Sequence, residues 1–134
     1  MSTRSAIITK TETGYAGIYC HFDGYEEGIG SILEEYYKDQ DKVDRLIDLG
    51  DISSLGGRVE PIGSHSYDDR EEGTTVAYHR DRGEGKSPAK IGASIESVAK
   101  QIGHNGYVYV FEDGTWSVNG RRLSDVLAEI KETA

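Results

Sequence analysis

Two stretches of this sequence combine reactive or charged side chains in a pattern that suggests a functional site. The first is YCHFDGY, residues 19–25, which brings a thiol, an imidazole and a carboxylate together at the end of a predicted strand. A cysteine next to a histidine suggests a nucleophile with its base, or ligands of a metal. Neighbouring residues of a strand point to opposite faces, however, so Cys20 and His21 are not expected to act together. The pattern favours a buried, structural Cys20 and a polar, aromatic surface that includes Tyr19 and His21.

The second stretch is HRDRGEGKS, residues 79–87. Its three cations, Arg80, Arg82 and Lys86, stand out in a chain whose formal net charge is −9. Guanidinium groups match phosphate oxygens, and a glycine such as Gly83 lets the backbone approach a ligand closely. The GxxxxGK[ST] spacing of a phosphate-binding P-loop is absent. Two interpretations stay open: a phosphate site, and a solvated turn in which these cations and the neighbouring carboxylates neutralise one another.

If the strand predicted before this stretch continues through it, Tyr78, Arg80 and Arg82 point to one face. Such a row of one aromatic ring and two guanidinium groups would suit a base and its phosphates. The sequence thus predicts a ligand-binding site, with no catalytic residue, metal ligand or cofactor assigned. The site residues are Tyr19, His21, Asp23, Tyr25, Tyr78, Arg80, Arg82 and Gly83.

A third stretch, LGDISSLG at residues 49–56, has glycines and serines that could form an anion-binding nest. We favour its interpretation as the end of a helix followed by a turn. The four histidines are scattered and only one cysteine is present, so no spacing typical of a metal site occurs. The single cysteine also excludes an intramolecular disulfide and is typical of a reducing compartment.

The elements that must position these residues follow from the hydrophobic periodicity. Residues 5–10 and 15–22 are predicted to form an N-terminal hairpin. An amphipathic helix with Ile29 to Tyr37 on its apolar face comes next, and a second short helix follows it. Residues 51–73 show no clear period and are predicted to be mostly loop, and residues 74–80 are predicted to form a strand.

The C-terminal half carries clearer signals. Ser94 is predicted to cap a helix. Asp113-Gly114 is typical of a two-residue type I′ turn, which would place Phe111 opposite Trp116 in a hairpin. A helix from about Ser124 follows. The order ββααβαββα predicts a single domain, residues 1–134, of the α+β class, with a mainly antiparallel sheet of about five strands and helices packed on a face.

The acidic composition limits the partners. With a net charge of −9, the chain is a poor binder of nucleic acid or anionic membranes, since both require positive charge. No apolar run approaches the ~20 residues needed to span a membrane, and the N-terminus lacks the apolar core of a signal peptide. We therefore expect a cytoplasmic protein that binds neither nucleic acid nor membrane directly.

Several blocks of the sequence resemble a family of small proteins encoded by phages and prophages. The blocks are MSTRS, GIYCHFDGY, LGDISSLG and YHRDRGE, in that order. The family has a tryptophan in the second block where this chain has Phe22. The resemblance covers roughly residues 1–60 and 78–84, together with the hairpin that ends near Trp116. It implies a phage context and the cytoplasm of a bacterial host, and it assigns no activity.

Small phage proteins often counter host defence, which suggests two functions for this chain. The first is sequestration of a nucleotide-type immune signal, with arginines for the phosphates, aromatic side chains for the base, and a homo-oligomer that has pockets at its subunit interfaces. The alternative is a protein–protein inhibitor of a host nuclease or another defence factor, which the acidic charge and the nine tyrosines would suit. A phosphoesterase that uses His21, Asp23 and His79 is the third hypothesis.

Overall fold

A computed structural model describes residues 3–85, 87–103 and 106–133, which form an α+β fold. The strands are β1 (Ser5–Lys10), β2 (Tyr15–Cys20), β3 (Ile52–Ser54), β4 (Val76–Ala77), β5 (Lys90–Gly92), β6 (Tyr107–Glu112), β7 (Thr115–Val118) and β8 (Arg121–Arg122). The helices are α1 (Ser31–Tyr36), α2 (Gln40–Asp48), α3 (Tyr78–Arg82), α4 (Ile95–Ile102) and α5 (Leu123–Thr133). A π-helical turn, Glu26–Gly30, precedes α1. Within the described ranges, no helix is both long and apolar enough to cross a membrane.

The strands form one mixed sheet in the order β4-β3-β2-β1-β6-β7-β8, and β5 pairs with β2. The pairs β1–β6 and β2–β3 are parallel, and the other pairs are antiparallel. The α+β class is confirmed, but the sheet has more strands than the five predicted and is mixed. The extra strands, β3, β5 and β8, are only two or three residues long, too short to show a hydrophobic period.

Both faces of the central strands are covered, because the side chains of a strand alternate between faces. The larger core lies between one face and helices α1, α2 and α5, and its sheet residues include Ile7, Ile18, Tyr109, Phe111 and Trp116. The smaller core lies on the other face, where Ala6, Ile8 and Val110 meet Val98 and Ala99 of α4. Helices thus pack on two faces of the sheet, not on one.

The two predicted hairpins are confirmed. Strands β1 and β2 pair in the first. In the second, Asp113 and Gly114 have φ angles of 56° and 74°, as a type I′ turn requires, and Phe111 lies opposite Trp116. The predicted cap of α4 is also present, since the side chain of Ser94 accepts a hydrogen bond from the backbone N–H of Ser97.

The strand predicted over residues 74–80 is wrong beyond Ala77, because the chain turns there into the short helix α3. The Oδ2 atom of Asp81 accepts a hydrogen bond from the N–H of Ala77 at 2.7 Å, which ties the residue before the helix to its first turn. Gly83, with φ 77°, ends the helix in the left-handed conformation. This correction changes where the cations of the second stretch can point.

Candidate functional site

Four separate segments meet at one end of the sheet. Ser5 of β1 is paired with Cys20 of β2, Cys20 with Ile52 of β3, and Ile52 with Ala77 of β4. Three of the four sequence blocks described above therefore contribute to a single row across the sheet, and the fourth block begins directly after the row residue Ala77. The residues that flank this row in sequence (Arg4, Tyr19, His21, Asp51 and Tyr78) are brought to the same end of the fold.

Asp51 joins these segments. Its Oδ1 atom accepts a hydrogen bond from the backbone N–H of Tyr19 at 3.0 Å, and its Oδ2 atom accepts one from the hydroxyl of Ser87 at 2.5 Å. Its backbone carbonyl accepts from the N–H of Tyr78 at 3.3 Å. The preceding Gly50 has φ 77°, and a Cβ atom there would lie 2.2 Å from the carbonyl oxygen of Ser87. The segment is thus a turn after α2, as predicted. The carboxylate of Asp51 already accepts hydrogen bonds from other groups of the protein.

An open pocket of about 370 Å³ lies beside Asp51 on the α4 side of the sheet. We call it the Tyr19 pocket, and it is lined by Arg4, Tyr19, Asp51, Lys90, Ile102 and Gly103. Within the described ranges, neither Arg4 nor Lys90 takes part in an ion pair. Two cations without a carboxylate partner therefore share one pocket of a strongly acidic chain.

Tyr19 lines the pocket together with these two cations. Its hydroxyl oxygen lies 2.6 Å from Nδ1 of His21, and the ring of His21 packs edge-on against Phe22 with centroids 4.5 Å apart. Burial raises the pKa of Tyr19, the Arg4 guanidinium opposes that rise, and the nearby Tyr78 adds to it. The hydroxyl is therefore kept protonated at neutral pH, the form in which it contacts the His21 ring.

This arrangement suits an anion. A guanidinium, an ammonium and a hydroxyl can all hydrogen-bond to phosphate or carboxylate oxygens. The pocket volume is at the small end of the range of about 300–1,000 Å³ that is usual for ligand sites. In the part of the chain that the structure describes, no group of three or more His, Cys, Asp or Glu side chains is arranged to hold a metal ion.

Comparison with known proteins gives no match among family models, curated proteins or solved structures.

Three of the predicted site residues, Tyr19, His21 and Tyr78, lie together. Arg80, in contrast, is part of the fold. Its Nη1 atom donates to the carbonyl of Val59 at 2.6 Å and its Nη2 atom to that of Thr75 at 2.7 Å. Its Nε and Nη2 atoms also donate to the carboxylate of Asp81, at 2.9 and 3.0 Å. These contacts occupy much of its hydrogen-bonding capacity.

The predicted row of Tyr78, Arg80 and Arg82 on one strand face is wrong. The three residues belong to α3, and on a helix two residues that are two positions apart lie about 200° apart around the axis. Arg80 therefore leaves the helix on the side opposite Tyr78 and Arg82, which are four positions apart and lie near one face, so the three side chains do not form one row.

Arg82 lies on the surface beside Tyr67. Its guanidinium carbon is 4.8 Å from the centre of the Tyr67 ring, and that of Arg70 is 4.7 Å from the same ring. The Nε atom of Arg82 also pairs with the carboxylate of Glu84 at 3.0 Å. This pair agrees with the second interpretation of the stretch, a solvated turn in which cations and carboxylates neutralise one another. A ligand contact by Arg82 or the neighbouring Gly83 stays a prediction, and Lys86 lies outside the described residues.

Asp23 and Tyr25 lie in the loop between β2 and the π-helical turn, and neither lines the Tyr19 pocket. Asp23 has φ 59°, and its carbonyl accepts a hydrogen bond from the N–H of Ile29 at 2.8 Å. Tyr25 is 40% exposed. Their contact with a ligand also stays a prediction.

Cys20 is fully buried, as predicted, and burial raises the pKa of its thiol to about 12. It faces the larger core, whereas His21 contacts Tyr19, so the two adjacent side chains are separated as the strand alternation requires. A Cys–His nucleophile pair is therefore not formed.

Sequence reasoning missed the two cations of the Tyr19 pocket, Arg4 and Lys90. Arg4 directly precedes β1, and its only signal was its position inside the first sequence block. Lys90 begins the three-residue strand β5, which shows no pattern of its own. Neither residue is close in sequence to the other pocket residues, so only the tertiary fold brings them together.

Proposed function

We propose that this chain is a phage-encoded binding protein that captures a small, nucleotide-type anion in the Tyr19 pocket and thereby counters host defence. The observation that carries the proposal is the pair of cations, Arg4 and Lys90, that flank Tyr19 without an ion-pair partner in the described ranges. Cations without an ion-pair partner create a local positive potential in this acidic chain, and such a potential attracts an anionic ligand.

The chemistry of the pocket favours capture over turnover. Its one carboxylate, Asp51, accepts hydrogen bonds from Tyr19 and Ser87, so it is not poised as a general base. The hypothesis of a phosphoesterase requires His79 as well, but Nδ1 of His79 lies 2.7 Å from the carbonyl oxygen of Glu84 on the exposed side of α3. The phage context is supported by the resemblance of the sequence blocks.

Isothermal titration calorimetry with a panel of cyclic nucleotides and NAD-derived signals tests the proposal. We expect at least one of them to bind the wild-type protein, with an affinity that falls as the salt concentration rises. Arg4→Ala or Lys90→Ala should weaken binding by about ten- to a hundredfold, since each removes a charged hydrogen-bond donor. Lys38→Ala removes an exposed cation outside the pocket and is the matched control. A panel that gives no heat with the wild type would refute nucleotide capture.

A second candidate function, inhibition of a defence protein, is favoured by the loop between β3 and β4. Ile62 is 79% exposed at this loop, yet the backbone around it is held firmly. The carboxylate of Glu71 accepts hydrogen bonds from the N–H groups of Ile62 and Gly63, at 2.8 and 2.6 Å, and from the Thr74 hydroxyl at 2.6 Å. A preorganised loop that presents one large apolar side chain is well suited to enter a pocket of a protein partner.

One comparison separates the two functions. Ile62→Asp removes the apolar side chain of the loop and leaves the Tyr19 pocket intact. Arg4→Ala removes a cation of the Tyr19 pocket and leaves the loop intact. Plaque formation by a sensitive phage on defence-bearing cells that express each variant reports counter-defence. If the chain captures a nucleotide, only Arg4→Ala should lose protection; if it inhibits a protein through this loop, only Ile62→Asp should.

A further inference from the structure

The α4 side of the sheet is only half covered. Helix α4 packs on β1, β2 and β5 and also reaches Val110 of β6, and it leaves the same face open around the partly buried Val108 and across β7 and β8. Between the helix and these strands runs a groove of about 820 Å³. Its apolar wall consists of Ile95, Ala99, Val108 and Val110.

The rim of this groove carries two opposite charges on α4, Glu96 and Lys100. Both are exposed, and within the described ranges neither takes part in an ion pair. They are four residues apart, which corresponds to about 6 Å along the helix axis. A second α4 that runs antiparallel beside the first would place Glu96 of each helix against Lys100 of the other. The rim is therefore self-complementary under a two-fold axis, as an isologous interface requires.

The position of the groove beside the helix also allows a two-fold pairing. The helix α4 is a ridge, and the groove lies directly beside it on the same face of the sheet. A two-fold rotation can set the ridge of each copy over the groove of the other, which would cover Val108 and the neighbouring polar residues Ser117 and Asn119.

We infer that the partner of this groove is a second copy of the chain, and that the protein forms a two-fold dimer through α4 and the open face of β6–β8. The dimer has a consequence for the ligand site. Gly103, at the C-terminal end of α4, lines both the groove and the Tyr19 pocket. A second copy seated in the groove therefore extends the wall of the Tyr19 pocket and brings the ligand site to the subunit interface.

Sedimentation velocity on the ligand-free protein tests the dimer. The wild type is expected to sediment as a species whose mass is twice the 14.7 kDa of the chain. Lys100→Glu leaves two carboxylates on each rim and Glu96→Lys leaves two ammonium groups, so like charges face each other in either homodimer. Each single variant should raise the dimer dissociation constant by about tenfold or more.

Two further samples make the test specific to this interface. An equal mixture of Lys100→Glu and Glu96→Lys chains should form heterodimers, because each rim then meets its opposite. The double variant Glu96→Lys/Lys100→Glu should dimerise like the wild type, which also shows that the substitutions do not disrupt folding. Lys131→Glu, an exposed charge reversal on α5, is the control and should leave the dimer intact.

Three results would overturn the inference. They are a wild type that stays monomeric at every soluble concentration, a dimer that both single variants leave intact, and single variants that remain monomeric when mixed. The sedimentation measurement needs no ligand, so a monomeric wild type would refute the dimer without refuting the proposed capture of a nucleotide. Likewise, the absence of nucleotide binding in the calorimetric titration would not refute the dimer.

Discussion

The hydroxyl oxygen of Tyr19 lies 2.6 Å from Nδ1 of His21, because residues two apart on a strand project from the same face. This contact fixes the orientation of both rings at the end of β2. It places the phenol of Tyr19 in the pocket that Arg4 and Lys90 flank, and it gives the sequence block around Cys20 a role on the surface as well as in the core.

The first prediction concerns the core that supports this site. Trp116 is 2% exposed, its Nε1 atom donates to the carbonyl of Tyr37 at 2.8 Å, and its ring centroid is 5.0 Å from that of Phe111. Trp116→Ala should lower the free energy of unfolding by about 3–5 kcal/mol, since it leaves a large cavity. Urea unfolding measures the loss, with the exposed neighbour Thr115→Ala as control. A loss as small as that of the control would contradict the packing described here.

The second prediction separates two arginines of α3 that look alike in the sequence. Arg80→Ala removes hydrogen bonds to Val59, Thr75 and Asp81 and should cost about 2–3 kcal/mol of stability, because it leaves partly buried acceptors unpaired. Arg82→Ala should change stability by no more than about 0.5 kcal/mol, as is usual for an exposed charge. Thermal unfolding of the two variants side by side measures the contrast, and equal losses would show that Arg80 does not hold the fold together.

The third prediction concerns the buried thiol. Burial raises the pKa of Cys20 to about 12, so the reactive thiolate is scarce near neutral pH. The native protein should react with a thiol reagent far more slowly than the urea-unfolded protein. Cys20→Ser should lower stability by about 1 kcal/mol and leave ligand binding unchanged. Rapid labelling of the native thiol would be incompatible with the burial.

The fourth prediction is a pH dependence that originates at Glu71. Hydrogen bonds from the Thr74 hydroxyl and from the N–H groups of Ile62 and Gly63 lower the pKa of this carboxyl from 4.5 to about 2. A carboxyl with a lowered folded-state pKa stabilises the protein above its unfolded-state pKa, and this contribution disappears as the pH falls through the folded-state value. The contribution of Glu71 should therefore be complete above pH 4.5 and lost towards pH 2.

Unfolding of the wild type and Glu71→Gln across this range provides the measurement. The wild type should be the more stable at neutral pH, and the difference between the two should shrink as the pH falls from 4.5 towards 2. Glu72→Gln, which changes an exposed neighbour, is the control. A difference that is independent of pH would show that the ionised carboxylate does not hold the loop.

Local signals made part of this fold predictable. The Asp113-Gly114 turn and the pairing of Phe111 with Trp116 follow from two residues with positive φ and from strand alternation. Asn119-Gly120 is a second turn of the same kind, with φ angles of 50° and 85°. It was not recognised because the strand after it is only Arg121–Arg122, without any apolar pattern.

Long-range pairing could not be predicted in this way. The parallel pairing of β1 with β6 joins residues that are about a hundred positions apart, for example Ser5 with Tyr107, and no local pattern encodes the partner of a strand. One local signal does indicate how deeply β1 is buried. Ala6, Ile7 and Ile8 form a continuous apolar run, which is typical of a strand that is covered on both faces, and it would have indicated a helix on each side.

In the candidate site, too, some residues could be predicted from local signals and others depend on long-range packing. Tyr19 and His21 were identifiable as a shared face from their spacing, whereas the involvement of Arg4 and Lys90 depends on the packing of β1, β2 and β5. The error at Arg80 has a local cause. The aromatic and β-branched residues before it favour a strand, but the hydrogen bond from the N–H of Ala77 to Asp81 and the left-handed Gly83 stabilise a helix.

Native mass spectrometry of protein purified from phage-infected, defence-bearing cells is the most direct test of nucleotide capture. We predict that the wild type carries a small molecule of nucleotide size, which is released on denaturation, and that an Arg4→Ala/Lys90→Ala variant purified in the same way carries none. A wild type without any bound small molecule, or a double variant that retains the same molecule in the same amount, would contradict the Tyr19 pocket as its binding site.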